Sequence, residues 1–323
     1  MIYSVFRWIT GIALHWFYRD IRVVGASEIP AAGPVLIAVN HQNALVDSLI
    51  AAWVIPRRLV MTAKATLTEN LLISLLFRIL NVVPLRRMSD EAEAGGVSID
   101  RTRNAGAFRE ILGLLRRGGA VLIFPEGKSH NEAGLEPLKT GLARIALQAR
   151  DELHIRGIQI LPLGLVFEDK GSPDTVVGAR FGKPIDLDAW NGDGRNALTE
   201  EIAGRLRSVS VTSGLPAEIR VQHPPNHSSI RENFIALAAR WGRITHEYPV
   251  RLARNLAVRR STNADEPAML TILFGISLVL VTYAIHLTVL ALVAHSAAIA
   301  AIYLVGLLCG AYWAAFERHP RRY

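Results

Sequence analysis

Residues 119–130 read Gly-Ala-Val-Leu-Ile-Phe-Pro-Glu-Gly-Lys-Ser-His, an apolar run that stops at a proline and gives way at once to polar side chains. The apolar part, Gly119–Phe124, is short for a helix and has no polar face, which indicates a strand buried on both sides. Pro125 ends this strand because proline has no backbone N–H to donate to a neighbouring strand. The stretch therefore predicts a buried strand with a dense polar turn at its carboxyl end.

The same alternation of apolar runs and helical patterns extends over a predicted globular domain, residues 20–215. We predict strands at 21–24, 34–39, 58–62, 82–85, 119–124, 159–167 and 176–181, and helices at 47–53, 70–80, 104–116 and 139–150. Continuous apolar strands that alternate with helices predict an α/β fold with a mostly parallel sheet flanked by helices. Ligands of such sheets usually bind beyond the carboxyl ends of the strands.

Length and composition limit the possible domain organisation and the class of protein. The 323 residues suit one large α/β domain with additions, or two domains. The chain carries 36 Lys and Arg against 28 Asp and Glu, a net charge of +8, and its mean hydropathy of +0.26 points to contact with lipid. A single cysteine excludes a disulfide framework and a cysteine-based zinc cluster.

The lipid contact is predicted at residues 268–316, where Lys, Arg, Asp and Glu do not occur. As helices, 269–294 and 297–316 would be about 39 Å and about 30 Å long, and either could cross the hydrocarbon core of a bilayer. The polar pair His295-Ser296 between them is typical of a tight turn. We predict a two-helix transmembrane hairpin, and the alternative is a buried helical hairpin in a soluble core.

Basic segments flank this hairpin: a linker, 216–267, and a tail, 317–323. Within the linker, residues 231–260 hold seven Arg and two acidic residues, with apolar residues at helical spacing between them. This pattern predicts a basic amphipathic segment on anionic lipid headgroups. We expect no nucleic acid partner, because the chain carries no nucleic-acid-binding motif. The basic flanks also predict that the globular domain faces the cytoplasm.

Residues 1–19 show a shorter amphipathic pattern, with an apolar face that includes Ile2, Phe6 and Phe17. The segment is short for a membrane span and lacks an Ala-x-Ala cleavage pattern, which argues against a signal peptide. We predict a membrane-associated helix that lies in the interface or inserts shallowly. The alternative is an ordinary amphipathic helix of the protein core.

Candidate chemistry begins with His41, directly after the predicted strand 34–39, and Asp47 six positions later. On one continuous helix these side chains would point about 120° apart, so we place His41 in a loop and Asp47 near the first helical turn. There the carboxylate would orient the imidazole, whose other nitrogen would take a proton from a hydroxyl. The alternative is a helix-capping aspartate beside an unrelated histidine.

Two other strand ends carry polar residues. The turn at 126–130 holds Glu126, Gly127 and Lys128, where the glycine lets the backbone approach a ligand and the N–H groups suit an oxyanion or a phosphate. The predicted strand 82–85 is followed by Arg86, which suits bidentate binding of a phosphate. The alternative for 126–130 is a plain polar turn, and the alternative for Arg86 is a solvated arginine.

Taken in order, these motifs resemble those of the glycerophospholipid acyltransferase family, over residues 20–190. The family's blocks resemble Asn40-His41 with Asp47, Val83-Pro84-Leu85-Arg86, Phe124-Pro125-Glu126-Gly127 and Leu161-Pro162. Two features depart from the commonest pattern: five residues instead of four separate the histidine from the aspartate, and Lys128-Ser129-His130 replaces a Thr-Arg-Ser-type ending. Both are similar to a fungal-type branch that acylates glycerol 3-phosphate or dihydroxyacetone phosphate.

The resemblance implies a membrane-bound enzyme of phospholipid biosynthesis that transfers a fatty acyl group from acyl-CoA or acyl carrier protein to glycerol 3-phosphate or 1-acylglycerol 3-phosphate. His41 would be the general base and Asp47 its orienting carboxylate, and the substrate would be bound by Arg86, Glu126, Gly127 and Lys128. For Glu126, the alternative is that its carboxylate organises the loop instead of binding a glycerol hydroxyl. We expect no cofactor, and no metal, because the dyad lacks further partners at ligand spacing. The alternatives are a membrane hydrolase that uses the same dyad, and a non-catalytic membrane scaffold.

Overall fold

A computed structural model describes residues 2–65, 74, 77–78, 80, 82–85, 104–130, 134–210, 215, 230–261 and 266–316. The strands are β1 Asp20–Val24, β2 Val35–Val39, β3 Leu59–Lys64, β4 Val83–Leu85, β5 Ala120–Ile123, β6 Gln159–Phe167, β7 Val176–Phe181 and β8 Ile185–Asp186. The helices are α1 Ile2–Phe17, α2 Ala44–Val54, α3 Ala105–Arg116, α4 Gly141–Leu147, α5 Gly194–Ser210, α6 Ile230–Arg260, α7 Glu266–Ala294 and α8 Ala297–Phe316.

The strands form one sheet in the order β1-β7-β6-β2-β5-β3-β4, and β8 pairs with β6 outside this path. Strands β2 to β6 are parallel to one another, whereas β7 and β8 run antiparallel to β6 and β1 runs parallel to β7. All residues of β2 and β5 are buried, as their unbroken apolar sequences predict. The prediction of a mostly parallel sheet flanked by helices is confirmed.

Each face of the sheet carries its own hydrophobic cluster. One cluster joins the sheet to α1, α2 and the ends of α7 and α8 that lie nearest the sheet, and the other joins it to α3, α4 and α5. The predicted strands agree with the observed ones to within about two residues, whereas α5 was not predicted. Most of the predicted helix 70–80 lies outside the described residues.

Helix α1 combines the two alternatives that its sequence left open. Leu14 and Phe17 are fully or almost fully buried in the core cluster, whereas Ile2 and Val5 are exposed. The helix lies so close to α2 that a Cβ atom on Gly11 would come within 2.2 Å of the Trp53 ring. One side of α1 is thus part of the core, and contact of the exposed side with a membrane stays a prediction.

Helices α7 and α8 are long and apolar enough to cross a membrane, and they meet at the predicted turn His295-Ser296. In the most apolar 18-residue stretch of each helix, 6% is buried within the protein for α7 and 33% for α8. Most of this apolar surface is therefore open to a lipid environment. The two helices can therefore form the predicted membrane hairpin.

Helix α6, from the predicted basic linker, packs along both apolar helices. Its Gly242 backbone touches Gly310 of α8, and the His246 Nε2 atom lies 2.6 Å from the Tyr283 hydroxyl of α7. Helix α6 also exposes apolar residues: Phe234, Leu237, Ile244, Tyr248 and, in part, Trp241, whose ring lies against Tyr303 of α8. Contact of this helix with lipid headgroups stays a prediction, and the basic tail 317–323 lies outside the described residues.

Candidate active site

Three loops meet at the carboxyl edge of the parallel strands. Strand β2 lies between β5 and β6, so the loops that follow these three strands are neighbours in space. The loop after β2 carries His41, the loop after β5 carries Glu126, and the turn after β6 carries Lys170. The sequence predicted the first two loops as parts of the site but did not indicate the third.

The predicted dyad is a hydrogen-bonded pair. His41 lies in the loop, Asp47 lies in the first turn of α2, and His41 Nδ1–H donates to Asp47 Oδ2 over 2.9 Å. The Asp47 side chain is completely buried, and the same oxygen accepts the Asn43 N–H at 2.8 Å. Ala44 adopts a left-handed backbone (φ 43°) where the chain turns into α2, a conformation that costs energy for a residue with a Cβ atom.

The imidazole of His41 is held on one face as well as at Nδ1. The Phe124 ring stacks on it with a centroid distance of 4.0 Å and an angle of 18°. Because Nδ1–H donates to Asp47, the neutral ring carries its acceptor lone pair on Nε2. The His41 side chain retains 8% exposure. The arrangement is that of a base whose tautomer and orientation are set by a buried carboxylate.

Glu126 is buried and holds the loops together. Its Oε1 atom accepts the His41 N–H at 2.7 Å, and its Oε2 atom accepts His130 Nε2–H at 2.5 Å and the Glu136 N–H at 2.7 Å. The side chain is fully enclosed, so these three donors surround the carboxylate. This geometry organises the loop around His41, and the predicted contact between Glu126 and substrate stays a prediction.

Gly127 and Lys128 follow Glu126 in the same turn. Gly127 has a positive φ of 82°, which requires glycine, and its N–H donates to the Phe124 carbonyl at 3.1 Å. That N–H is therefore engaged within the turn instead of facing a ligand. Lys128 is exposed beside it, where its ammonium can reach a ligand above the strand ends. Arg86 lies outside the described residues, although β4, which precedes it, is the third strand from β2 in the sheet, about 14 Å away.

Four further residues support the site: Asn40, which the family resemblance already included, and Asn43, Tyr18 and Lys170, which the sequence did not indicate. Asn40 bridges β2 to β6, because its Oδ1 accepts the Leu165 N–H at 2.7 Å and its Nδ2 donates to the Leu165 carbonyl at 2.9 Å. The Asn43 Nδ2 donates to the Tyr18 hydroxyl at 3.0 Å and to the Lys170 carbonyl at 2.9 Å. A local signal existed only for Asn40, which is adjacent to His41.

Tyr18 lies beside the dyad in surroundings that favour its neutral form. Burial raises the pKa of Tyr18 well above its usual value, and the nearby Asp47 carboxylate raises it further. The phenol is therefore protonated near neutral pH and acts as a hydrogen-bond donor. Within the described part of the chain, His, Cys, Asp and Glu form no group of three or more that could hold a metal ion. The expectation of neither metal nor cofactor stays a prediction.

The chain is similar to several known acyltransferases. Residues 20–166 match the family described as Acyltransferase. An uncharacterized acyltransferase of Schizosaccharomyces pombe is 22% identical, with 58% of this chain and 39% of that protein covered. Glycerol-3-phosphate O-acyltransferase 1 of Saccharomyces cerevisiae is also 22% identical, with 66% of this chain and 40% of that protein covered.

A shorter relative is covered more fully. The 1-acyl-sn-glycerol-3-phosphate acyltransferase of Cocos nucifera is 25% identical, over 62% of this chain and 61% of that protein. The chain thus spans about two fifths of the length of the two yeast relatives, 39% and 40%. The crystal structure of the 1-acyl-sn-glycerophosphate acyltransferase of Thermotoga maritima aligns with a TM-score of 0.46 and 20% identity, over 62% of this chain and 74% of that chain.

Proposed function

We propose that this chain, whose residues 20–166 match the family described as Acyltransferase, transfers a fatty acyl group from a thioester to the hydroxyl of a phosphorylated glycerol. The single observation that carries the proposal is the hydrogen bond from His41 Nδ1–H to the buried Asp47 carboxylate. It leaves the acceptor lone pair of the neutral ring on Nε2, in a side chain that is 8% exposed. A base of this kind contributes about 10²–10⁴-fold to a rate.

The proposed reaction is a direct transfer. His41 Nε2 takes the hydroxyl proton of the acceptor while the acceptor oxygen attacks the thioester carbonyl. A carbon–oxygen bond forms, the carbon–sulfur bond breaks, and the imidazolium returns the proton to the departing thiolate. Asp47 stabilises the imidazolium through its charge and holds the ring in place, as Phe124 does from one face.

The acceptor phosphate defines a second part of the proposed site. We assign it to Arg86, which follows β4 in the sequence, and to Lys128, which is exposed in the turn after β5. Glycerol 3-phosphate is the favoured acceptor, because the spacing of His41 and Asp47 and the turn Lys128-Ser129-His130 depart from the commonest acyltransferase pattern. A relative named for this acceptor also matches over 66% of this chain. The donor is acyl-CoA or acyl carrier protein.

The proposed site lies next to the membrane hairpin. Phe316, at the end of α8, stacks against Trp53 of α2 at 5.7 Å and contacts His15 of α1 at 4.5 Å. Helix α2 carries Asp47 in its first turn, so the same helix joins the dyad to the hairpin. An acyl product can thus leave the site into lipid, and the basic flanks of the hairpin orient the domain toward the cytoplasm.

The test uses detergent-purified full-length protein with labelled acyl donor. We expect label in an acylated glycerol phosphate, measured in parallel with glycerol 3-phosphate and 1-acylglycerol 3-phosphate as acceptors. His41→Ala should lower this transfer at least about 100-fold. His154→Ala is the matched control, because His154 is an exposed histidine distant from the carboxyl edge. Release of free fatty acid without transfer would favour the hydrolase, and full transfer by His41→Ala would overturn the assigned base.

A further inference from the structure

The turn after β6 contributes a lysine to the back of the candidate site. Lys170 is half-buried, and its Nζ donates to the carbonyl of Gln42 at 3.0 Å and to the carbonyl of His130 at 3.2 Å. Gln42 directly follows His41, and His130 is the residue that donates to the Glu126 carboxylate. One ammonium group thus joins the loop of the dyad to the loop after β5.

The backbone of Lys170 is tied to the same site. Its carbonyl accepts Asn43 Nδ2–H at 2.9 Å and the Tyr18 hydroxyl at 3.4 Å. Asn43 in turn donates its N–H to Asp47. The main chain and the side chain of Lys170 therefore both bind the loop that carries His41, at Asn43 and at Gln42.

The turn itself is ordered by its own hydrogen bonds. The Asp169 carboxylate accepts the Ser172 hydroxyl at 2.8 Å and the N–H groups of Gly171 and Ser172 at 3.0 and 3.2 Å. These donors, the Ser172 hydroxyl first, lower the pKa of Asp169, so the carboxylate is ionised and accepts all three bonds near neutral pH. Thr175 Oγ1 also donates to the Asp169 carbonyl at 2.9 Å. Lys170 is therefore presented to the site by a defined turn.

We propose that Lys170 is a positioning residue, which holds the His41 loop and the Glu126–His130 loop at a fixed separation and so aligns the dyad with the turn beside it. The inference rests on the proposed acyl transfer and adds to it a residue that touches no substrate. Two other hydrogen bonds join the loops: the His130 N–H donates to the His41 carbonyl, and the His41 N–H donates to Glu126 Oε1. The Lys170 ammonium adds a third connection, through the carbonyls of Gln42 and His130.

The backbone carbonyls of Gln42 and His130 explain how Lys170 can hold the two loops together. Lys170 has three donors and no acceptor, so it can satisfy both carbonyl groups at once. A methionine of similar length fills the same space but donates nothing, which leaves the carbonyls without this donor and lets the loops separate. A displacement of about 1 Å in a catalytic group costs about 100-fold in rate. The substitution should therefore lower turnover and leave acceptor binding unchanged.

The test compares Lys170→Met with Lys170→Arg in the full-length protein, with Lys183→Met as the control at an exposed lysine beyond the other end of the neighbouring strand. For Lys170→Met we expect kcat to fall about 10–100-fold, with the acceptor KM within about twofold and the thermal midpoint nearly unchanged. Lys170→Arg should recover at least a third of the lost rate. A raised KM with normal kcat would instead assign Lys170 to substrate binding and would overturn the proposal.

A second measurement does not depend on activity. In a Cys309→Ala background, spin labels on Leu45→Cys and Lys128→Cys, both exposed positions, report the distance between the first turn of α2, which directly follows the His41 loop, and the turn after β5. We expect one narrow distance distribution in the parent and a broader one after Lys170→Met but not after Lys183→Met. Equal distributions would overturn the positioning role even if transfer occurs. Absence of transfer in the parent would refute the proposed function and leave this distance test decisive for Lys170.

Discussion

Replacing Asp47 by asparagine separates the charge of this side chain from its shape. In the structure, Asp47 Oδ2 accepts both His41 Nδ1–H and the Asn43 N–H, whereas Oδ1 has no hydrogen-bond partner among the described residues. The amide oxygen of asparagine can take the place of Oδ2 and keep both bonds, with the amide nitrogen in the place of Oδ1. Asp47→Asn should therefore fold normally and lose mainly the negative charge.

The size of the effect follows from Coulomb's law. Two unit charges about 4 Å apart interact with about 4 kcal/mol at an effective dielectric constant of about 20. The imidazolium that forms at His41 loses this stabilisation in Asp47→Asn. Since about 1.4 kcal/mol corresponds to a factor of ten, the rate should fall about 1000-fold if proton transfer is complete in the transition state, and less if it is partial.

The assay is kcat at saturating donor and acceptor, together with the thermal midpoint in detergent. We expect a loss of about 100–1000-fold for Asp47→Asn at an unchanged midpoint. Asp47→Ala is the comparison, because it also removes the acceptor of the Asn43 N–H and should lower the stability by about 1 kcal/mol. Activity of Asp47→Asn within a factor of ten of the parent would refute the electrostatic role assigned to the carboxylate.

Three further results are expected. Asn40→Ala removes both hydrogen bonds to β6 and should lower the free energy of unfolding by about 2–4 kcal/mol in denaturant titrations; a loss under 1 kcal/mol would contradict the bridge. Gly11→Ala forces a Cβ atom against Trp53 and should lower the free energy of unfolding by about 1–3 kcal/mol. Its control, Gly106→Ala, lies in open space on α3 and should be neutral or slightly stabilising. Equal effects of the two substitutions would refute the close packing of α1. Burial raises the pKa of Tyr18, so the contribution of its neutral phenol to stability is complete below pH about 10 and is lost as the pH rises further. Tyr18→Phe should remove this loss of stability at alkaline pH. Superimposable pH profiles of stability for the parent and the variant would contradict the prediction.

Much of the secondary structure followed from local patterns. The unbroken apolar residues of β2 and β5 predicted buried strands, and the long apolar runs of α7 and α8 predicted the helices that meet at His295. The spacing of six residues between His41 and Asp47 also carried information, because it excluded one continuous helix and matches the observed loop and first helical turn. The roles of these residues in catalysis remain predictions.

Residues that are distant along the chain escaped this reasoning. Lys170 lies 128 residues from Gln42, and nothing in the residues around it marks it as part of a site. Tyr18 precedes the first strand but reaches Asn43, because β1 runs opposite to β2 and so begins at the carboxyl edge. Glu126 was predicted to bind substrate, but its three protein donors became visible only when the loops were brought together.

The amino-acid sequence by itself determined the approximate bounds of the seven predicted strands and of the apolar hairpin, because hydrophobic periodicity, prolines and glycines act within a few residues. Tertiary structure alone decided that β2 lies between β5 and β6, and hence which loops meet around His41. It also decided that α6 packs along α7 and α8 instead of standing apart from them. The physical reason is that strand order and helix packing depend on the burial of surfaces contributed by distant segments, and no short window of sequence contains both partners.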